Sequence, residues 1–264
     1  MTSILSSAQK KNLTALIVEL GQEVEIIKQS DLDVFKKNHN SPVTEADLYI
    51  NNELKKYFEE ISVNKIISEE SKVQDHSIRS NWKFFWVVDP IDGTKEFLKK
   101  SNDYTINVAL CKDNMPIFSI VSAPGDSLLY HAERNNGSYL NGRKISVNKN
   151  LKAKLKVVVS KSHMNKKTQN FLRVIKQRYA ISLVNIGSSL KICKVAEGSA
   201  DLYPRLGPTM EWDTCAAHLI LNEAGGTISC FDGEKLTYNK ENLRNPFFIA
   251  SSGKHISYEN INNW

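Results

Sequence analysis

The 264-residue sequence predicts a mixed α and β protein built from two stacked halves. Apolar residues recur at helical spacing over residues 8–29, which indicates an amphipathic first helix. Residues 104–147 alternate instead as successive strands separated by turn signals, a pattern typical of an antiparallel meander. Strands and helices alternate after the polar segment 148–152. We therefore predict a boundary in that segment, with an N-terminal half of residues 1–150 and a C-terminal half of residues 151–264.

The elements of the first half follow from local signals. Thr44 and Asp47 form a capping-box-like start for a second helix, and a short strand is expected at residues 65–68. The apolar run 84–88 predicts a buried strand that stops at Asp89, and a short helix should begin at Thr94. The strands of the meander are expected at residues 104–110, 116–123, 128–134 and 137–147.

The second half shows shorter elements in alternation. Its strands are expected at residues 157–160, 182–186, 201–205 and 247–250. Its helices are expected at residues 168–179, 188–197 and 212–224. The glycine pair 225–226 is a good C-cap for the last helix.

Composition restricts the class of protein. A hydrophobic content of 41% and a charged content of 24% are ordinary for a folded globular chain. The net charge of +6 is spread through lysines, which we interpret first as a solvated surface and second as attraction for a polyanionic small molecule. We expect no nucleic-acid partner, because the sequence contains no recognised binding motif.

The four cysteines lie far apart and form no C-x-x-C pair. This spacing argues against zinc and against a disulfide framework, and it favours a reducing compartment. The N-terminus has no apolar signal core, and no apolar stretch has the length of a membrane span. We therefore expect a cytoplasmic protein without a transmembrane segment. Peripheral attachment to the cytoplasmic face of the inner membrane stays open.

The hexapeptide Asp89-Pro90-Ile91-Asp92-Gly93-Thr94 carries the strongest functional signal. Two like charges at the end of a dry strand repel each other and lose hydration, and a divalent cation is the usual compensation. Gly93 lets the backbone pass close to a ligand. The free N–H groups of a helix that begins at Thr94 suit a phosphate. The combination predicts phosphoryl chemistry.

Further acidic residues fall at predicted element ends, namely Asp47, Glu69, Glu70 and Asp213. Each alone is explained by a favourable charge at a helix start or by a solvated strand end. They become candidates for the same site because they occur together with the hexapeptide, in order along the chain.

With the hexapeptide and the pair Glu69-Glu70, the segment Trp212-Asp213-Thr214-Cys215-Ala216-Ala217 resembles the signature of a phosphatase superfamily. These are the lithium-sensitive, magnesium-dependent phosphatases of the inositol monophosphatase superfamily. The resemblance covers nearly the whole chain. It implies a layered αβαβα sandwich, with an antiparallel sheet in the first half, a mixed sheet in the second and the active site between them. Cys215 and Ala217 stand where many relatives have alanine and glycine.

Three further segments resemble the 3′(2′),5′-bisphosphate nucleotidase branch, namely Ser160-Lys161-Ser162-His163, Gly187-Ser188-Ser189-Leu190-Lys191 and Tyr203-Pro204-Arg205. Lys191 and Arg205 would accept a second phosphate. Gly187 and Ser188, at a helix start, would offer backbone N–H groups to the same anion. His163 either stacks on a base or is a satisfied histidine at a strand end.

The resemblance implies two Mg²⁺ ions. Glu69, Asp89 and the carbonyl of Ile91 would hold the first ion, whereas Asp89, Asp92 and Asp213 would hold the second. Glu70 would either contact a weaker third ion or support Glu69. A hydrogen-bonded pair of Asp47 and Thr94 would orient the attacking water, and Gly93, Thr94 and Asp213 would also contact the substrate. Li⁺ would inhibit by occupying the second site.

The implied reaction is hydrolysis of the 3′-phosphate of adenosine 3′,5′-bisphosphate to AMP and phosphate, with 3′-phosphoadenylyl sulfate as a second substrate. Such an activity belongs to sulfate assimilation. Two alternatives stay open: inositol-1-phosphate or fructose-1,6-bisphosphate hydrolysis, and a non-catalytic module that binds RNA or protein. The oligomeric state, monomer or homodimer, also stays open.

Overall fold

The computed structural model describes residues 4–30, 34–36, 42–150, 154–160, 164–231 and 233–253. The helices within these residues are α1 (Ser7–Gln29), α2 (Glu45–Glu60), α3 (His76–Arg79), α4 (Thr94–Leu98), α5 (Lys166–Arg178), α6 (Leu190–Ala196) and α7 (Cys215–Glu223). The strands are β1 (Val34–Lys36), β2 (Pro42–Thr44), β3 (Ile66–Ser68), β4 (Phe84–Asp92), β5 (Thr105–Lys112), β6 (Met115–Ala123), β7 (Leu128–Glu133), β8 (Gly137–Leu140), β9 (Arg143–Ile145), β10 (Lys154–Ser160), β11 (Ala180–Ile186), β12 (Leu202–Arg205), β13 (Thr227–Cys230) and β14 (Phe248–Ser251).

The first half forms a seven-stranded sheet in the order β3-β4-β5-β6-β7-β8-β9. β3 is parallel to β4, and every later pair is antiparallel, as the meander predicts. The single strand predicted at 137–147 was wrong. Asn141 and Gly142 have φ angles of 48° and 75°, and this left-handed turn folds the segment into the β8–β9 hairpin.

The second half forms a five-stranded sheet in the order β11-β10-β12-β14-β13. β10 pairs in parallel with β11 and β12, whereas β14 pairs antiparallel with β12 and β13. The sheet is therefore mixed. The strand β13 was not predicted because its residues Thr227–Cys230 mix polar and apolar side chains and are largely half-buried, whereas the equally short β12 and β14 are mostly buried. The helices α6 and α7 are shorter than the predicted ranges 188–197 and 212–224.

The second helix begins at the capping signal that the sequence predicts, and the first helix has a cap that was not predicted. Ser6 caps α1 and Thr44 caps α2, each in a reciprocal capping box. Both helices bury one apolar stripe against the seven-stranded sheet, where Phe58 stacks on Trp86 with ring centroids 4.2 Å apart. The core under these helices also contains Val88 and further apolar side chains of β4 and β5.

Alternate residues of β4 contact the two faces of its sheet. Phe85 and Val87 belong to a second core, together with side chains of α6 and α7 and with Tyr203 and Phe248 of the other sheet. A third core joins Phe171 and its neighbours on α5 to the outer face of the five-stranded sheet. The layers are therefore α1 and α2, the large sheet, α6 and α7, the small sheet, and α5, which is the predicted αβαβα order.

The division into halves at residues 150 and 151 stays a prediction, and residues 151–153 lie outside the described ranges. The core between the two sheets draws its side chains from both halves. None of the described helices has the length and apolar character that crossing a bilayer requires.

Candidate active site

Three carboxylates from distant parts of the sequence meet at one point. One carboxylate oxygen each of Glu69, Asp89 and Asp213 lies within 4.8 Å of the others. Glu69 directly follows β3 and donates its backbone N–H to the carbonyl of Val88 at 3.2 Å, so it lies beside the end of β4. Asp213 precedes α7, which packs between the two sheets. The fold therefore brings together these three of the acidic residues that the sequence singled out.

The strand β4 does not stop at Asp89, as the sequence analysis expected, but continues to Asp92. Its pairing with β5 shifts register, since Asp89 pairs with Asn107 and Asp92 pairs with Thr105. This bulge places two residues of β4 opposite a single residue of β5, so β4 contains one extra residue. Asp89 and Asp92 both line the same cleft as a result.

Asp89 is the carboxylate of the group that lacks hydrogen-bond partners for both of its side-chain oxygens within the described residues. Its side chain is buried. Burial, followed by the charges of Glu69, Asp92 and Asp213, raises its pKa well above the usual value. A divalent cation with oxygen ligands would compensate such a carboxylate, so the donor set fits Mg²⁺.

Asp92 and Asp213 have partial compensation. Asp92 accepts the backbone N–H of Ser189 and is attracted by Lys191, and burial still raises its pKa to about 6. Asp213 accepts the backbone N–H of Met210 at 2.9 Å. Burial and the charge of Asp92 raise the pKa of Asp213 to about 8. Both side chains would gain from a cation.

The predicted hydrogen bond between Asp47 and Thr94 was wrong for the part of the chain that the structure describes. Asp47 accepts both the backbone N–H of Thr44, at 2.8 Å, and its hydroxyl, at 2.6 Å, because it is the third residue of the α2 capping box. The hydroxyl of Thr94 donates to the carbonyl of Ile91 at 3.1 Å. Burial raises the pKa of Asp47 to about 7, and the charges of Glu70 and Glu69 also raise it.

The carboxylates form one side of a cleft of about 330 Å³. From the first half it is lined by Glu69, Asp89, Ile91, Asp92, Gly93, Thr94, Lys95 and Glu96. From the second half it is lined by Ser160, Gly187, Ser188, Lys191, Arg205, Pro208 and Asp213. Lys95, Glu96 and Pro208 were missed, although Lys95 and Glu96 directly follow the hexapeptide in the first turn of α4. His163 lies outside the described residues, so its role stays a prediction.

Two basic side chains face the carboxylates. Lys191 is buried, and its ammonium group donates to the carbonyl of Ser188 and lies 5.6 Å from the ring centroid of Tyr203. Burial lowers the pKa of Lys191 to about 8, and the charge of Asp92 opposes this effect. Arg205 donates from Nη2 to the carbonyl of Pro208 at 2.6 Å, while its buried Nε has no partner within the described residues. This wall suits an anion next to the metal ligands.

Two glycines pack against one backbone carbonyl. A Cβ at Gly187 would lie 2.6 Å from the carbonyl oxygen of Asp103, and one at Gly93 would lie 3.0 Å from the same atom. Gly93 also has φ +97°, which disfavours a side chain. Ser188 follows Gly187 in the left-handed region, with φ 46°. Glycine at position 187 lets the second half approach Asp103 of the first half closely, and glycine at position 93 lets the hexapeptide turn pack on the same carbonyl within the first half.

The comparisons with known proteins identify the family of the chain. The sequence model of the inositol monophosphatase family matches residues 1–256. The chain belongs to this family. It is 38% identical over 231 residues to the 3′(2′),5′-bisphosphate nucleotidase CysQ of Buchnera aphidicola, covering 85% of each chain.

Solved structures of the family have the same fold. The crystal structure of CysQ from Bacteroides thetaiotaomicron, described as a bacterial member of the family, matches with a TM-score of 0.77 and 32% identity. That match covers 93% of this chain and 98% of the other. A lithium-soaked inhibitory complex of staphylococcal inositol monophosphatase-1 matches with a TM-score of 0.79 and 21% identity, covering 96% of this chain and 92% of the other. At that identity the likeness concerns the fold alone.

Proposed function

We propose that this chain is a Mg²⁺-dependent phosphatase that hydrolyses the 3′-phosphate of adenosine 3′,5′-bisphosphate to AMP and phosphate. One observation carries the proposal: the carboxylates of Glu69, Asp89 and Asp213 share a cleft with Lys191 and Arg205. A group of metal-binding carboxylates beside two basic side chains suits a substrate with two phosphates better than one with a single phosphate. The nucleotidase name of the relatives that match most of the chain supports the same substrate class.

The metal ligands are those that the family resemblance implies. Glu69, Asp89 and the carbonyl of Ile91 would hold one Mg²⁺, and Asp89, Asp92 and Asp213 would hold a second. When bound, the ions polarise the phosphate and lower the pKa of a water nucleophile. Asp89 is the natural ligand of both ions because its two oxygens are buried without another partner in the described residues.

The remaining groups bind and orient the substrate. The guanidinium of Arg205 and the ammonium of Lys191 would hold the second phosphate, together with backbone N–H groups near Gly187 and Ser188. The hydroxyl of Thr94 would orient the attacking water. Asp47 would accept its proton, since a pKa of about 7 suits a base at neutral pH.

The decisive experiment measures phosphate release from adenosine 3′,5′-bisphosphate with and without Mg²⁺. We expect turnover only with Mg²⁺, and a kcat/KM above those for inositol-1-phosphate and fructose-1,6-bisphosphate. If inositol-1-phosphate or fructose-1,6-bisphosphate is the preferred substrate, the chain is assigned that activity instead. Failure to hydrolyse any phosphomonoester, together with salt-sensitive RNA retention, would favour a non-catalytic binding module.

Three finer expectations accompany the proposal. We expect inhibition by Li⁺, which resembles Mg²⁺ in size but carries half its charge. We expect hydrolysis of 3′-phosphoadenylyl sulfate as a second activity, in sulfur metabolism. We also expect a cytoplasmic location, since the four cysteines are buried free thiols, which is consistent with a reducing compartment.

A further inference from the structure

We propose that Asn245 is a positioning residue that orients the metal ligand Asp213. The inference rests on the proposed function, because it assigns to Asp213 the role of holding Mg²⁺. Asn245 lies outside the cleft lining, in the segment before β14, and its side chain is only 4% exposed. It touches neither substrate nor metal, so it would act through the chain that carries Asp213.

The amide of Asn245 holds the turn before α7. Its Nδ2 donates to the carbonyl of Met210 at 2.7 Å and to the hydroxyl of Thr214 at 3.0 Å. Its backbone N–H donates to the carbonyl of Thr209 at 2.8 Å. These bonds secure the residues on both sides of Asp213.

Met210 connects this amide to the metal ligand. The backbone N–H of Met210 donates to Oδ2 of Asp213 at 2.9 Å, and the carbonyl of Met210 accepts the backbone N–H of Asp213 at 3.3 Å. The same carbonyl accepts the Asn245 amide. Asn245 holds the two peptide units that flank Met210. Its backbone N–H bonds the Thr209 carbonyl, which belongs to the same peptide unit as the N–H that meets Asp213 Oδ2, and its side-chain amide bonds the Met210 carbonyl of the next unit.

The segment that carries Asn245 is itself anchored. Lys240 forms an ion pair with Glu211 at 2.6 Å, and Glu211 is fully buried and also accepts the backbone N–H of Asn239 at 2.5 Å. Arg79, from the first half, donates to the side chain of Asn239 at 2.8 Å. The segment that carries Asn245 is therefore held in place, so Asn245 can restrain the turn that contains Asp213.

Loss of the amide should loosen Asp213 without removing any metal ligand. The Met210 carbonyl would lose a donor, and the turn could rotate the carboxylate away from Glu69 and Asp89. Groups that hydrogen-bond a metal ligand directly contribute roughly 10- to 100-fold to metal affinity. Asn245 acts one bond further out, through Met210, so we expect an effect at the lower end of that range.

The test uses the full chain with Asn245→Asp, Asn245→Ala and Asn245→Ser. Asn245→Asp keeps the size but replaces the donor with an oxygen that repels the Met210 carbonyl. Asn242→Asp is the matched control, because Asn242 is exposed on the same segment, and its Oδ1 accepts the N–H of Arg244 at 3.0 Å, a bond that aspartate retains. Mn²⁺ binding to the metal-free protein is measured by electron paramagnetic resonance without substrate.

We expect the Kd for Mn²⁺ to rise at least about tenfold in Asn245→Asp and Asn245→Ala, and to stay within about twofold in Asn242→Asp. The added charge in Asn245→Asp would by itself attract a cation, so a loss of affinity identifies lost orientation. In phosphate release, the half-saturating Mg²⁺ concentration should rise while kcat at saturating Mg²⁺ largely recovers.

An unchanged Kd in folded variants would overturn the proposal, even if their unfolding midpoints fall, because that result describes a purely structural role. Asn245→Ser removes the amide without adding a charge and keeps a polar side chain, so it replaces the other variants if they do not fold. If the unaltered chain binds Mn²⁺ but does not hydrolyse the bisphosphate, the proposed substrate fails while the positioning role is still decided by the Kd values. If it binds no Mn²⁺, both fail.

Discussion

A carboxylate oxygen of Asp89 lies within 4.8 Å of one of Asp213, although the two residues belong to different halves of the chain. Asp89 is held in β4 of the large sheet, whereas Asp213 precedes a helix packed between the two sheets. The cluster therefore exists only after both halves have packed. Unpaired like charges oppose this packing, and a divalent cation would favour it.

Asp89→Asn should abolish phosphate release and stabilise the metal-free protein. Because burial raises the pKa of Asp89, folding at neutral pH costs free energy that an uncharged amide avoids. This cost is absent below the unfolded pKa and grows as the pH rises towards the folded pKa. In EDTA at pH 7, we expect an unfolding midpoint at least about 2 °C higher, or roughly 1 kcal/mol.

The control is Asp113→Asn on the exposed β5–β6 turn, which should change neither activity nor midpoint. Normal turnover of Asp89→Asn at saturating Mg²⁺ would contradict the proposal that Asp89 binds both ions. A lower midpoint in EDTA would contradict the electrostatic account.

Arg205→Ala should impair hydrolysis of the bisphosphate more than hydrolysis of a monophosphate. A charged hydrogen bond to the second phosphate is worth about 1.5–3 kcal/mol, which corresponds to a KM increase of about 10- to 100-fold. Steady-state kinetics with adenosine 3′,5′-bisphosphate and adenosine 3′-monophosphate would measure this difference. Arg173→Ala, on an exposed face of α5, is the control. Equal effects on both substrates would remove Arg205 from specificity.

Gly187→Ala should destabilise the protein and lower its activity together. The new Cβ would lie 2.6 Å from the carbonyl oxygen of Asp103, so one backbone segment must move, at a cost of about 1–3 kcal/mol. Urea unfolding would measure the change. At Gly207, the nearest atom to a new Cβ is 3.4 Å away, so Gly207→Ala should be nearly neutral in stability. Equal stabilities of the two variants would show that the Asp103 contact adapts without cost.

His218 should make the protein less stable in mild acid. Burial lowers its pKa to about 4 from the ordinary 6.5, while its Nδ1 lies 2.8 Å from the hydroxyl of Tyr238. Between these pH values the unfolded state binds the additional proton. Stability is therefore complete above about pH 6.5 and falls as the pH drops towards 4, by about 3 kcal/mol in total.

Unfolding free energies measured from pH 4 to 7 would check this slope. His218→Gln should flatten the part that His218 contributes. Tyr238→Phe should keep it, because burial, not the hydroxyl, causes the shift. A slope unaffected by His218→Gln would assign acid sensitivity to other groups.

Local signals predicted much of the first half. The cap at Thr44 and the apolar spacing of α1 and α2 depend on residues that are close in sequence, so sequence alone reveals them, whereas the equivalent cap at Ser6 was missed. The left-handed turn at Asn141 and Gly142 was missed inside one long strand, although an Asn-Gly pair is itself a hairpin signal. The strand β13 was missed because its half-buried residues mix polar and apolar side chains and form no apolar run.

The sequence by itself determined which residue types were available for catalysis: the hexapeptide, Glu69 and Asp213 were identified because their spacing resembles a known family. Only the tertiary structure decided which residues form hydrogen bonds with each other. Asp47 pairs with Thr44 instead of Thr94, and the Asp213 turn is held by Asn245 from a segment that no motif marks. The physical reason is that a hydrogen bond depends on atoms within about 3 Å, and packing of the two halves, not sequence proximity, determines those distances.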